Sequence, residues 1–157
     1  GITRDAIDFS NQTISINKTW DYKYRTGFKK TKTAASVRIV TVDTNTISVL
    51  KQYLSFNSVD DFRPIFLVNH RILVSTQINQ VLKSKLKELN LPAITFHALR
   101  HTHASVLLYK GVSVLSVSKR LGHSNVTTTQ STYLHIIKEL EAQDQSQIIK
   151  IIGLVDH

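Results

Sequence analysis

The stretch SVRIVTVDTNTISVLKQYLSF, residues 36–56, changes its hydrophobic pattern halfway along and decides the fold class. Its first part, residues 36–42, is short and rich in β-branched residues, which is typical of a strand. Asp43 follows as a favoured helix N-cap, and apolar residues then recur at helical spacing: Ile47, Leu50, Tyr53 and Leu54. Because the pattern passes from strand to helix here, the sequence predicts strands before this point and helices after it.

The segments before residue 42 predict a small sheet. QTISINKTW, residues 12–20, alternates apolar with polar residues, and DYKYRTG, residues 21–27, alternates tyrosines with basic residues. SVRIVTV, residues 36–42, is the third predicted strand, and it follows the basic turn GFKKTKTAAS, residues 27–36. The connections are short, so we expect the three strands to pair antiparallel.

Helices are predicted from residue 43 onward, at residues 43–56, 75–90, 96–111, 113–121, 126–135 and 137–149. Ser75 and Ser113 are the predicted N-caps of two of them. Gly111 and Gly122 are predicted helix ends, because glycine readily takes up the left-handed conformation that closes a helix. The sequence therefore predicts an α+β fold: one mostly helical domain, residues 1–157, with a small three-stranded antiparallel sheet near the N-terminus.

Composition narrows the classes of partner and site. The 157 residues include no cysteine, which excludes disulfides and thiolate metal sites, and no apolar run approaches the roughly 20 residues that span a bilayer. The 20 Lys and Arg against 11 Asp and Glu give a net charge of +9. Such a balance favours a polyanionic partner, with nucleic acid the leading candidate and a solvated basic surface the alternative.

Three histidines and an arginine crowd the stretch FHALRHTHAS, residues 96–105. His97 and His101 share a helix face, which raises the question of a metal site. A zinc protease needs a glutamate directly after the first histidine, where this chain has Ala98. A phosphate site fits better, because the guanidinium of Arg100 matches two phosphate oxygens and His97 can donate a hydrogen bond or move a proton.

Other residues of this stretch have simpler interpretations. His101 and His103 are expected to point elsewhere around the helix, with His103 packed against a neighbour. An amphipathic helix would carry the apolar side chains into the core: Leu99, Val106 and Leu107.

Two later positions extend the phosphate hypothesis. His123 follows Gly122 in RLGHSN, residues 120–125, at a loop where catalytic groups are often presented. Tyr133, in TTTQSTYLH, is a possible nucleophile, and its attack on a phosphate would need nearby cations and a proton acceptor. Taken alone, Tyr133 also fits a half-buried helix tyrosine.

HALRHTHAS, RLGHS and TTTQSTYLH, in this order and spacing, resemble the C-terminal catalytic domain of the tyrosine recombinases, the phage-type integrase family. We call these segments the three boxes. TKTAASVRIV, residues 31–40, is similar to the family's β-hairpin and places Lys32 at its lysine. The resemblance covers nearly the whole chain.

The resemblance implies a role for each matching residue. Tyr133 attacks the scissile DNA phosphate and forms a 3′-phosphotyrosyl bond. Arg100 and His123 hold the non-bridging oxygens, His97 assists proton transfer at the tyrosine, and Lys32 protonates the departing 5′-oxygen. Neither a metal ion nor another cofactor is needed for this chemistry.

The resemblance also implies partners and surroundings. Double-stranded DNA is the substrate, and the full-length protein would act as a homotetramer on DNA, with accessory DNA-bending or excision factors and no membrane partner. The expected location is the cytoplasm of a bacterial host, at the nucleoid. The apolar tail, residues 136–152, would pack on a neighbouring protomer or on its own domain.

One part of the family's pattern is missing. The family has a first arginine in an R-x-G-E context before the sheet, and Arg4 does not fit it. We therefore expect an N-terminally truncated catalytic domain, without the arm-type and core-binding DNA domains, that cleaves DNA poorly; the alternative is a protein that has lost the arginine and most of its activity. Three alternatives stay open: a catalytically degenerate helix-turn-helix-like DNA-binding module, a type IB topoisomerase, and an interaction domain with an incidental basic surface.

Overall fold

A computed structural model describes residues 1–22, 24, 26–57, 62–68 and 71–155. Its strands are β1 (Ile7–Asp8), β2 (Thr13–Ile16), β3 (Lys18–Trp20), β4 (Phe28–Lys30), β5 (Arg38–Thr41), β6 (Leu67–Val68) and β7 (Arg71–Ile72). Its α-helices are α1 (Thr44–Phe56), α2 (Ser75–Glu88), α3 (Ala98–Tyr109), α4 (Val114–Leu121), α5 (Val126–Thr132) and α6 (Leu134–Val155). The chain divides into two units, residues 1–96 and 97–157. The predicted α+β class is confirmed.

The first unit contains a three-stranded antiparallel sheet in the order β1-β2-β5, but β1 at residues 7–8 stands where the prediction had the strand at residues 21–27. Ile14 in the central strand lies opposite Ile7 on one side and Val40 on the other. One cluster of buried apolar side chains joins the sheet to α1 and the segment before β6: Ile7, Ile14, Ile47, Leu50 and Ile65. Asp43 caps α1 as predicted, since its carboxylate accepts from the backbone N–H of Thr46 at 2.9 Å.

Two of the predicted strands differ from the observed ones. Residues 12–20 divide at Asn17 into β2 and β3, and β3 pairs antiparallel with β4 in a separate sheet. The predicted strand at residues 21–27 is wrong in its described part, because these residues turn around the carboxylate of Asp21. That carboxylate accepts from the Tyr24 backbone N–H and the Thr26 hydroxyl, and it pairs with Lys29. Lys23 and Arg25 lie outside the described residues.

The start of α2 also differs from its prediction. Ser75 is the first helical residue and not the cap, and Val74 occupies the N-cap position. The side chain of Gln77 reaches back and accepts from the Val74 backbone N–H at 3.2 Å, so the glutamine satisfies a donor at this end.

The second unit packs four helices around a single apolar cluster, which consists of Ala104, Leu108, Val117, Leu121, Tyr133 and Ile136. Its predicted helix boundaries at Gly111, Ser113 and Gly122 are confirmed. The two glycines have φ of +81° and +76°, and Ser113 accepts from the Ser116 backbone N–H at 3.2 Å. In the described part of the chain, no helix combines the length and apolar character that crossing a bilayer requires.

Candidate active site

The start of α3 brings two histidine rings together. His97 occupies the N-cap position with helical backbone angles, and its carbonyl accepts from the Arg100 N–H at 3.0 Å. His97 and His101 lie one turn apart, and their rings meet edge to face with centroids 5.3 Å apart. Both side chains are exposed on their outer sides.

Tyr133 lies at the junction between α5 and α6. It is the C-cap of α5, and its backbone N–H donates to the Thr129 carbonyl at 3.0 Å. The side chain is only 3% exposed and belongs to the apolar cluster of the second unit. Its hydroxyl forms a hydrogen bond with Nδ1 of His101, 3.0 Å away. The prediction of a half-buried helix tyrosine therefore understates the burial.

Burial and a neighbouring charge shift the pKa of Tyr133 in opposite directions. Burial raises the pKa of the phenol above its ordinary value, because a low-dielectric environment disfavours the phenolate. The positive charge of Arg100 lowers the pKa of Tyr133, but by less than burial raises it. The phenol is therefore neutral in the resting protein, and it must lose its proton to become a nucleophile.

Arg100 joins the start of α3 to the end of α4. Its guanidinium donates to the carbonyl oxygen of Leu121 at 2.6 Å, and Leu121 immediately precedes Gly122 and His123. The half-buried Arg100 side chain thus has a fixed direction. A guanidinium carries five N–H groups, so one bond to Leu121 leaves donors for an anion.

His123 is oriented by the helix that ends at Tyr133. Its Nδ1 lies 2.8 Å from the hydroxyl of Thr129, which is fully buried one turn before Tyr133. The backbone N–H of His123 donates to the Ser118 carbonyl at 3.1 Å, directly after the left-handed Gly122. The loop between α4 and α5 is thereby held at both backbone and side chain.

Lys32 belongs to the first unit. It is exposed, in the loop between β4 and a 3₁₀ turn at Ala34–Ser36. The hydroxyls of Thr33 and Ser36 lie 2.8 Å apart, and Arg38 donates to the Ser36 carbonyl at 3.0 Å. Hydrogen bonds therefore stabilise the turn that follows Lys32. The other four predicted site residues lie in the second unit.

Arg4 and His103 each contact a partner that is not one of the predicted site residues. The Arg4 guanidinium lies over the Phe9 ring, 4.5 Å from its centroid. His103 accepts at Nε2 from Nε of Arg120 at 2.8 Å and so joins α3 to α4. Burial, with the charge of Arg120, lowers the pKa of His103. The expected packing of His103 against a neighbour is confirmed.

His101 is the side chain that sequence reasoning missed. It was expected to point away from the site, but it contacts the hydroxyl of Tyr133. The signal was its position four residues after His97, which places both rings on one helix face. Among the described residues, no three side chains of the metal-binding types lie close enough to hold an ion.

Known proteins resemble this chain in sequence. The model of the phage integrase family matches residues 1–139. The integrase of Staphylococcus phage L54a is 30% identical over an alignment of 160 positions, which covers 93% of this chain and 45% of that protein. A XerC-like tyrosine recombinase of Caldanaerobacter subterraneus subsp. tengcongensis is 32% identical over 139 residues, with 80% of this chain and 36% of that protein covered. The chain spans about half or less of the length of these relatives.

Solved structures share the fold. The Tn1549 transposon integrase in complex with transposon right end DNA superimposes with a TM-score of 0.73 at 22% identity, over 85% of this chain and 48% of that one. The crystal structure of XerA recombinase gives a TM-score of 0.68 at 22% identity, over 91% of this chain and 50% of that one.

Proposed function

The chain belongs to the phage integrase family, and from this premise we propose that it carries the strand-cleaving and rejoining chemistry of a site-specific DNA recombinase. The observation that supports the proposal is that hydrogen bonds join the first and second boxes to the third: His101 contacts the Tyr133 hydroxyl, and His123 contacts the Thr129 hydroxyl. The charge of Arg100 acts on Tyr133, and Thr129 connects His123 to the helix that ends at Tyr133.

The proposed reaction is a phosphoryl transfer to the tyrosine. The Tyr133 oxygen attacks phosphorus, the bond from phosphorus to the 5′-oxygen breaks, and a 3′-phosphotyrosyl bond forms. The phenolic proton leaves Tyr133, and the departing 5′-oxygen receives one from Lys32 as general acid. Attack by a second 5′-hydroxyl reverses the step and joins the strands, so no external energy source is required.

Arg100 and His123 are proposed as the donors that stabilise charge on the non-bridging oxygens. The carbonyl of Leu121 fixes the direction of the guanidinium, and the Thr129 hydroxyl fixes one edge of the imidazole. Donors that are already oriented contribute most to a transition state, because they need no reorganisation during the reaction. His97 is proposed to assist proton transfer at the tyrosine from its position beside His101.

The efficiency of this chain is a separate part of the proposal. The 157 residues contain no R-x-G-E box, so the first arginine of the family's pattern is missing. Removal of one oriented donor typically costs on the order of 100-fold in rate. We therefore propose slow cleavage by this polypeptide.

Double-stranded DNA is the proposed substrate, in line with the net charge of +9 and with the structure of the Tn1549 integrase in complex with transposon right end DNA. We also propose a homotetramer on DNA, assisted by accessory factors and placed at the nucleoid. The end of α6 supports assembly, because four of its apolar side chains are exposed: Ile148, Ile149, Ile151 and Ile152.

The test uses covalent capture of DNA. Because the target sequence is not specified by the chain, the substrate is a pool of nicked duplexes randomised around the nick, and a denaturing gel detects protein attached to DNA. We expect an adduct with the unaltered chain, none with Tyr133→Phe, and equal DNA binding by both. Tyr109→Phe is the matched control, since Tyr109 is an exposed tyrosine of α3.

Two results would count against the proposal. An adduct with Tyr133→Phe would exclude Tyr133 as the nucleophile. Intact DNA binding without an adduct from the unaltered chain would favour the degenerate DNA-binding module.

A further inference from the structure

The hydroxyl of Tyr133 has a partner to which the three-box resemblance assigns no role. Nδ1 of His101 lies 3.0 Å from that oxygen, and the two ring centroids are 6.0 Å apart. Thirty-two residues separate the pair in sequence. The contact therefore depends on the packing of α3 against the junction of α5 and α6.

A buried phenol in this position needs a proton acceptor. The Tyr133 side chain is almost fully enclosed, so water has little access to its ring. A distance of 3.0 Å lies within the range of about 2.6–3.2 Å over which a general base takes a proton. Neutral histidine can accept at Nδ1 when the other ring nitrogen carries the hydrogen.

We propose that His101 is the general base of the reaction, which rests on the proposed recombinase function. The phenolic proton passes to Nδ1 of His101, whose imidazole becomes an imidazolium. The freed electron pair of the Tyr133 oxygen forms the bond to phosphorus, while the bond from phosphorus to the 5′-oxygen breaks and that oxygen takes the proton of the general acid. In rejoining, His101 returns the proton to the tyrosine.

This assignment gives His97 a different part from the one its box implies. The ring of His97 meets the ring of His101, and no described hydrogen bond joins His97 to Tyr133. His97 therefore acts through His101, by holding the plane of its ring. The outer side of His101 is exposed, so solvent can reach the imidazolium while the phosphotyrosyl bond persists.

The first test needs no catalytic turnover. Nitrogen-15 spectra of the histidines report which ring nitrogen of His101 carries the hydrogen. We expect an unprotonated, hydrogen-bonded Nδ1 in the free chain, and a change of its chemical shift in Tyr133→Phe. A protonated Nδ1 that donates to Tyr133 would overturn the proposal, because it could not accept the phenolic proton.

The second test separates proton transfer from positioning. His101→Asn keeps a polar group near the position of Nδ1 but cannot take a proton. We expect covalent capture to fall about 100-fold or more in His101→Asn, within the range typical of general bases, with DNA affinity unchanged. Added imidazole should partly restore His101→Ala and leave Tyr133→Phe inactive. The matched control is Tyr109→Phe, a change at an exposed residue of α3 outside the three boxes, which should capture DNA normally.

The outcomes are distinguishable from those of the proposed function. No adduct from the unaltered chain overturns both proposals. An adduct from the unaltered chain and within a few-fold as much from His101→Asn overturns only the role of His101, and so does a failure of imidazole to restore His101→Ala.

Discussion

The guanidinium of Arg100 donates to the carbonyl oxygen of Leu121 at 2.6 Å, across 21 residues of sequence. This bond connects the first box, on α3, to the second box at the end of α4. A backbone carbonyl at a helix end lacks an intrahelical donor, so Arg100 satisfies an acceptor that would otherwise need water. The same side chain is thus held in one direction before any phosphate arrives.

Replacement of Arg100 by lysine tests this arrangement. Lysine keeps the charge but loses the planar fork, so it cannot hold the Leu121 carbonyl and present donors to a phosphate together. We expect Arg100→Lys to reduce covalent capture by about 100-fold or more, with little change in DNA affinity. Capture on the nicked pool and a binding titration check this. Arg63→Lys, at an exposed arginine, is the control, and equal losses in both variants would contradict a specific role.

Thr129 offers a test of how His123 is oriented. Valine has almost the same shape but no hydroxyl, so Thr129→Val removes the 2.8 Å partner of His123 Nδ1 from a fully buried position. We expect slower capture and a loss of about 1 kcal/mol in the free energy of unfolding, measured with urea. Thr129→Ser keeps the hydroxyl and should retain most of the capture. If valine and serine behaved alike, the hydroxyl would have no part in the site.

The local signals of the sequence predicted the helices well. A cap depends on side chains within a few residues, so Asp43 and Ser113 could be assigned from their immediate neighbours. Gly122 was equally predictable, because a left-handed residue strongly favours glycine. The prediction of Ser75 as an N-cap was wrong, and the reason is also local. The side chain of Gln77 bonds to the backbone N–H of Val74, three positions earlier, and the helix therefore begins one residue sooner.

Features that depend on several side chains together were not predictable. The turn around Asp21 needs Tyr24, Thr26 and Lys29 at once, and alternation alone favoured a strand there. The same distinction between local and long-range features applies to the candidate site. Box spacing located Tyr133, but its contact with His101 depends on how α3 packs, which no short pattern encodes.

The bond between His103 and Arg120 predicts a dependence of stability on pH. Burial, followed by the charge of Arg120, lowers the pKa of His103 below its ordinary value of 6.5. The unfolded chain therefore binds a proton more readily than the folded one, and stability is lost as pH falls through 6.5 towards the folded pKa. We expect the thermal midpoint to be lower at about pH 5 than at about pH 8, with the difference reduced in His103→Gln.

His103→Gln serves as its own structural control, because glutamine keeps a carbonyl oxygen that can accept from Arg120. The carboxylates of Asp5, Asp8 and Asp43 have lowered pKa values, so their contribution to stability is lost mainly as pH falls through 3.8, below this window. An unchanged pH difference in His103→Gln would assign the effect to another group.

The net charge of +9 predicts that the affinity of the chain for DNA depends on salt concentration. Contacts between cations and phosphates release counterions, so each contact adds about 0.9 to the slope of log affinity against log salt. We expect weak duplex binding that falls steeply between low and moderate salt. The Lys32→Gln variant should bind with a slope smaller by about one, because the exposed lysine is proposed to lie at the scissile phosphate. Filter binding across a salt series measures both slopes. A flat response would contradict phosphate binding altogether, whereas a steep slope that Lys32→Gln leaves unchanged would remove Lys32 from the DNA contact and leave the rest of the basic surface to make it.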